Sequence, residues 1–393
     1  MAVQRTRPGN YPAILSYGFR PFFLAGAFYS ALAILFWIPL LYGHLETASL
    51  FAPVDWHIHE MLFGYLAAIV TGFLLTAIPN WTGRLPVQGL PLLLLLLLWT
   101  AGRFAIFFSA SLGWVTAAII DCAFLAAVAI AAATEIIAGR NWRNLKVLIP
   151  LAVLLCANID FHIEAHEAGI SDLSRRLAIA AAIALIMIIG GRIIPSFTRN
   201  WLARENPGRL PQPFGRIDVV IIAFSALALA AWVFAPEHSA AGMLMIAAGI
   251  GNFFRLARWA GDRTWRDILV LVLHLAYVFV PLGFVLAGAA ALWPVDIPAA
   301  AGVHAFSAGA IGSMTLAVMS RATLGHTGRE LHASAWMSAM FLSIMLAALL
   351  RIIAACHPTS TVLLHGSAAL WSAAFFAYVL LFGKALISPR LRG

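Results

Sequence analysis

Twelve histidines in a 393-residue chain with only 16 acidic residues are the side chains that ask for a chemical reason. The densest group is Asp55-Trp56-His57-Ile58-His59-Glu60-Met61. On a helix, His57 and Glu60 are three apart and share a face, while His59 points elsewhere. One imidazole can then ligate a metal while Glu60 orients a neighbour or relays a proton. The plainer reading is a polar cap at a membrane interface. His304 opens a run of small residues, HAFSAGAIGSMTLAVMS, that permits close helix packing or the approach of a flat cofactor. With His365, which heads the last apolar segment, His57, His59 and His304 form the expected metal-ligand set. His274 lies inside LVLVLHLAYVFVPLGF, where an imidazole must hydrogen-bond or ligate, and it is the candidate axial ligand of a haem. His332 is the alternative towards the inner side. Arg321 and Arg329 bracket a compact polar run, and either can meet the carboxylates of a cofactor or simply follow membrane charge bias. His162 and His166 have i,i+4 spacing, which suits a shared metal only if their segment is helical. Among internal acids, Asp121 is better placed than Glu135.

These residues must be positioned by membrane helices. The chain is 62% hydrophobic and 10% charged, against roughly a quarter charged in soluble domains. Its apolar blocks are continuous and long enough for a hydrocarbon core that takes about 20 helical residues to cross. The expectation is therefore an all-α, polytopic helix bundle of about twelve transmembrane helices, a single domain over 1–393. The expected spans are 21–41, 57–78, 90–110, 114–136, 145–161, 177–194, 219–234, 242–257, 268–291, 304–320, 331–354 and 361–385. Those at 145–161, 219–234 and 242–257 are short for a full crossing. The longest connection, 195–218, reads as an ordered loop or short surface helix, and the coarse pattern shows no internal repeat.

Charge placement gives the orientation. With the N-terminus inside, all basic residues except Arg103, Arg175, Arg176 and Arg351 fall on the cytoplasmic side, as the positive-inside bias requires. Both termini are then cytoplasmic. A net charge of +9 distributed this way points to an anionic leaflet and away from nucleic acid. Cys122, Cys156 and Cys356 have no CxxC spacing, and C-x-x-C-H is absent, so any haem is noncovalent, of b type.

Several motifs together resemble the NnrS family of bacterial membrane proteins over nearly the whole chain. They are GFRPFF from Gly18, WHIHEMLFGY from Trp56, GFLLTAIPNWTGR from Gly72, GRIIPSFTRN from Gly191, LHLAY around His274 and VMSRATLGHTGR from Val318. The resemblance implies a haem- and copper-containing protein of the bacterial inner membrane, linked to nitric oxide metabolism, denitrification and resistance to nitrosative stress. Its implied partners are nitric oxide or iron–nitrosyl species, membrane lipid and a membrane electron donor. It assigns no ligands. Three functions stay open: a haem/copper protein that binds or detoxifies nitric oxide, a haem-copper redox enzyme acting on it, and a transporter of a metal or iron–nitrosyl species.

Overall fold

The computed structural model describes residues 11–391; the expected cytoplasmic Arg5, Arg7 and Arg392 lie outside them. Helix is the only regular structure among the described residues, with no strand, and twelve helices are long and apolar enough to cross a membrane. They are α1 (Phe19–Leu41), α2 (Pro53–Thr82), α3 (Leu90–Phe107), α4 (Trp114–Ala138), α5 (Trp142–Glu167), α6 (Leu173–Glu205), α7 (Arg216–Phe234), α8 (Ser239–Arg263), α9 (Ile268–Leu292), α10 (Ala299–His326), α11 (Ala335–Cys356) and α12 (Thr361–Ile387).

The short expected spans are longer than their apolar cores. In α5 the polar Asn158 and His162 lower the hydropathy, yet both are buried on the same stripe as Leu151, Leu154 and Phe161. The segment after residue 194 is no loop at first. α6 runs on through Pro195 to Glu205, because Ile194, Thr198 and Leu202 recur every four residues and are all buried. Only 206–215 is irregular.

The chain forms two compact units, one of Met1–Ala178, Ala322–Glu330 and Phe375–Gly393, the other of Ile179–Arg321 and Leu331–Ala374. In the first, glycines let α1 and α2 approach closely: a Cβ on Gly72 would stand 2.8 Å from the Phe23 ring, and one on Gly26 2.7 Å from Ile69. In the second, a buried polar network ties α6 to α9 together. Arg255 donates to Asp218 at 3.0 Å, to the Met187 carbonyl at 3.1 Å and to the Tyr277 hydroxyl at 2.9 Å; Tyr277 in turn donates to Asn252.

Three helices change winding to π part-way: α2 over Glu60–Leu66, α6 over Ile186–Gly190 and α10 over Ala305–Gly312. A π-turn displaces carbonyls from the α-helical ladder, and side chains collect two of them. The Trp99 indole donates to Gly64 O at 2.9 Å, and Arg255 takes Met187 O.

α2 and α10 also repeat one another at a constant offset. Pro53, His59, Gly64 and Thr82-Gly83-Arg84 correspond to Pro298, His304, Gly309 and Thr327-Gly328-Arg329. Each helix passes into its π-turn immediately after the histidine, and each ends at a left-handed glycine, with φ of 74° at Gly83 and 75° at Gly328. Identities scattered in this way over about thirty residues are too sparse to stand out by hydropathy, which explains why no repeat is visible at that level.

Candidate metal centre

The π-turn of α2 decides what the histidine-rich entrance does. Pro53 opens the helix, and Asp55 in its first turn accepts from the Ser171 hydroxyl at 2.5 Å and the Ser171 N–H at 3.3 Å. The loop before α6 is thereby fixed to the start of α2. Glu164 secures the same loop by accepting from the N–H groups of Asp172, Leu173 and Ser174 and from the Ser174 hydroxyl. In that loop partial burial works to raise the Asp172 carboxyl, but Arg176 and Arg175, each at 2.6 Å, outweigh it and hold it below the usual range.

Where the helix turns to π winding, the consecutive residues His59 and Glu60 both face inward. His59 Nδ1 stands 3.0 Å from Glu60 Oε1, and its Nε2 stands 3.1 Å from Asp121 Oδ2 and 3.1 Å from Asn158 Oδ1. From α5, His162 Nε2 approaches the same Asp121 oxygen at 3.3 Å, and Asn158 Nδ2 donates to it at 2.8 Å. Single ligand atoms of His59, Asp121 and His162 all lie within 4.8 Å of one another, and all three residues are buried.

Arg103 of α3 holds the acids from behind. It donates to Glu60 Oε2 at 2.6 Å and also to Asp121 Oδ1, while the Tyr29 hydroxyl of α1 donates to Glu60. Gly64 makes the room for this: a Cβ there would lie 2.8 Å from Arg103 Nη1 and 2.9 Å from Glu60 Oε2. Phe51, Phe63 and Phe161 pack on the imidazole of His59 with ring centroids 5.1–5.2 Å away, so the polar cluster sits in an aromatic wall. Two carboxylates face one guanidinium. The remaining negative charge has to be met by a proton within the cluster or by a bound cation, since an uncompensated charge at such a position is costly.

The other expected site residues stand as follows. The ring of His57 stacks on Trp37 with centroids 4.4 Å apart and planes 12° from parallel. His166 stacks on Trp114 at 4.4 Å, so the i,i+4 pair divides, His162 turning to Asp121 and His166 to the tryptophan. In the second unit, His304 is half-buried at the start of its π-turn. His365 is exposed and its Nδ1 lies 2.7 Å from Thr361 O; His332 is exposed in the loop before α11. Arg321 lies over the Phe197 ring at 4.1 Å, and a buried terminal nitrogen on each of Arg321 and Arg329 has no partner.

The Thr198 hydroxyl donates to Ile194 O at 2.8 Å and lies 2.8 Å from His274 Nε2. His274 Nδ1 is buried without a partner, and a Cβ on Gly261 would stand 2.6 Å from it.

The sequence marks Asp121 and His162 singly and does not join them to His59. Nothing there pointed to Asn158, to Tyr29 or to Arg103 as the cation between two acids. The one local signal was that Asp121, Asn158, His162 and Arg103 are polar residues inside apolar blocks, which in a membrane mark a site.

A family model described as "NnrS protein" matches residues 13–390. No curated protein matches the chain.

Proposed function

The chain belongs to the NnrS family, and from that premise we propose that it carries a redox metal, with copper as the best-suited ion, in the centre formed by His59, Asp121 and His162. Family membership supports a role related to the nitric oxide response, and the twelve apolar helices make it a multi-pass membrane protein. The convergence of two imidazoles and a carboxylate on one buried point carries the proposal.

The donor chemistry fits. Imidazole suits copper and iron, and a carboxylate completes a mixed nitrogen–oxygen set. His59 meets Glu60 through one ring nitrogen and the ligand point through the other, the carboxylate–histidine–metal arrangement that fixes ring orientation and raises ligand basicity. Bound there, copper would supply an electron-rich site for a diatomic ligand such as nitric oxide. The chain's own residues do the remaining work. Arg103 holds the two acids in place, the phenylalanine wall keeps water out, and Tyr29–Glu60–His59 forms a hydrogen-bonded chain along which a proton can move.

Gly261 passes so close to His274 that a Cβ on it would stand 2.6 Å from Nδ1, a close approach that makes His274 the less roomy of the candidate haem ligands. For a haem we assign His304, which stands in α10 where His59 stands in α2. The distribution of basic residues supports the bacterial inner membrane with both termini cytoplasmic. A second reading, reduction of nitric oxide with electrons from a membrane donor, is favoured by the Tyr29–Glu60 link, since that reduction consumes protons.

The test is metal analysis and electron paramagnetic resonance of the full-length protein purified in detergent, before and after nitric oxide, together with its visible spectrum. Near-stoichiometric copper or iron whose signal changes with nitric oxide supports the centre. A protein that takes up neither metal after reconstitution removes it and leaves the buried cluster as part of a transport path. Nitric oxide consumption that depends on an added electron donor selects the enzyme reading.

A further inference from the structure

The two copies differ in how the arginine after the left-handed glycine is paired, and that difference exposes a second site in the first unit. In the first copy, Arg84 after the left-handed glycine is paired with Glu135 of α4 at 2.6 Å. In the second, Arg329 follows Gly328 in the same way, but α12 and the tail after it carry Lys384 and Arg390 there and no acid after residue 375.

What surrounds Arg329 is positive. Arg20, which is 3% exposed, donates one terminal nitrogen to the carbonyls of Ala385, Leu386 and Ser388 at 3.2, 2.8 and 2.6 Å and so closes the C-terminus of α12. His326 lies beside it, its ring centroid 5.4 Å from that of Phe19, the residue before Arg20. The tail is fixed in place by the Leu391 N–H donating to Thr327 O at 3.0 Å, which sets Arg390 beside Gly328. Arg20 Nε and Arg329 Nη1 are buried donors without a partner. Among the described residues no acidic side chain forms an ion pair with Arg20, Arg329 or Arg390; Glu330, next in sequence, is exposed. Converging guanidinium groups with free N–H donors are unfavourable until an anion joins them, and the group that matches their planar fork is a phosphate or carboxylate.

We propose that Arg20, Arg329 and Arg390, with His326 beside them, bind the phosphate of an anionic phospholipid headgroup. The site lies where α1 begins and α10 and α12 end. The neighbouring Ile387 and Leu391 are 55% and 53% exposed, so an apolar surface for acyl chains adjoins the charges. Basic pockets between helix ends on the cytoplasmic side are suited to such headgroups. The site is independent of the metal centre, which uses none of these residues.

The experiment is retention of phosphatidylglycerol by the full-length protein after delipidation in detergent and re-exposure to phosphatidylethanolamine vesicles with and without phosphatidylglycerol, read by mass spectrometry per mole of protein. Arg329→Gln and Arg390→Gln each lower the affinity about fivefold, the contribution of one basic residue near an anionic surface, while Arg84→Gln, whose arginine already has Glu135, leaves it unchanged. Arg20→Gln is avoided because Arg20 also closes a helix. Equal retention by the wild type and an R329Q/R390Q double variant overturns the proposal. So does thermal stabilisation by inorganic phosphate with no preference for phosphatidylglycerol, which would make the ligand a free anion.

Discussion

Arg103 Nη1 lies 2.6 Å from Glu60 Oε2 and 2.8 Å from the point that a Cβ on Gly64 would occupy. The pairing of a cation on α3 with an acid on α2 therefore depends on a residue with no side chain. Gly64→Ala should displace the guanidinium and cost about 1–3 kcal/mol, the usual range for overpacking a filled site. Thermal unfolding in detergent measures it, with Gly366→Ala as the reference, since a Cβ there would meet only Leu350 at an ordinary 3.4 Å. Equal melting of the two variants would contradict the close approach.

The histidines of the α2 entrance should separate in their effects. His59→Ala, His162→Ala and Asp121→Asn each lose bound copper or iron, whereas His57→Ala and His166→Ala keep it, because those rings stack on Trp37 and Trp114. Metal content per folded chain decides the point. Loss of metal on removing His57 alone would move the centre towards Trp37.

Removing the shared cation should be more damaging than removing one acid. Arg103→Met leaves Glu60 and Asp121 facing each other across a buried site, and breaking such a pair costs about 3–5 kcal/mol. Adding Glu60→Gln to that variant should recover part of the loss, since one uncompensated charge disappears. A double-mutant cycle on chemical or thermal unfolding gives the coupling, and strictly additive losses would show that the two residues act independently.

Metal uptake should release a proton. The cluster holds two carboxylates and one guanidinium, so without metal it takes one balancing proton, and a cation entering between His59, Asp121 and His162 displaces it. Titration calorimetry of copper into metal-free protein in buffers of different ionisation enthalpy should show release of about one proton, and affinity falling as pH falls. In Glu60→Gln the balancing charge is gone and the release should shrink towards zero.

Much of this protein is legible along the chain. Twelve membrane helices follow from apolar blocks because hydropathy is a local property that adds residue by residue, and a span of about 20 such residues has only one stable form in lipid. The family is legible too, through ordered motifs such as WHIHEMLFGY and GRIIPSFTRN. His59 and Glu60 stand out for the same reason: charged and polar groups are rare where the solvent is hydrocarbon.

What the tertiary structure decided is which of those groups meet. On a regular helix Glu60 belongs with His57; the π-turn beginning at Glu60 gives it to His59. Asp121, Asn158, His162, Arg103 and Tyr29 come from four other helices, and no spacing in one dimension records that they converge. The sixth helix extends to Glu205 because its buried stripe continues past Pro195. Burial of a charge is tolerated only when its partner arrives from elsewhere in the fold, so a membrane sequence can name its functional residues one at a time, while their pairing exists only once the helices have packed.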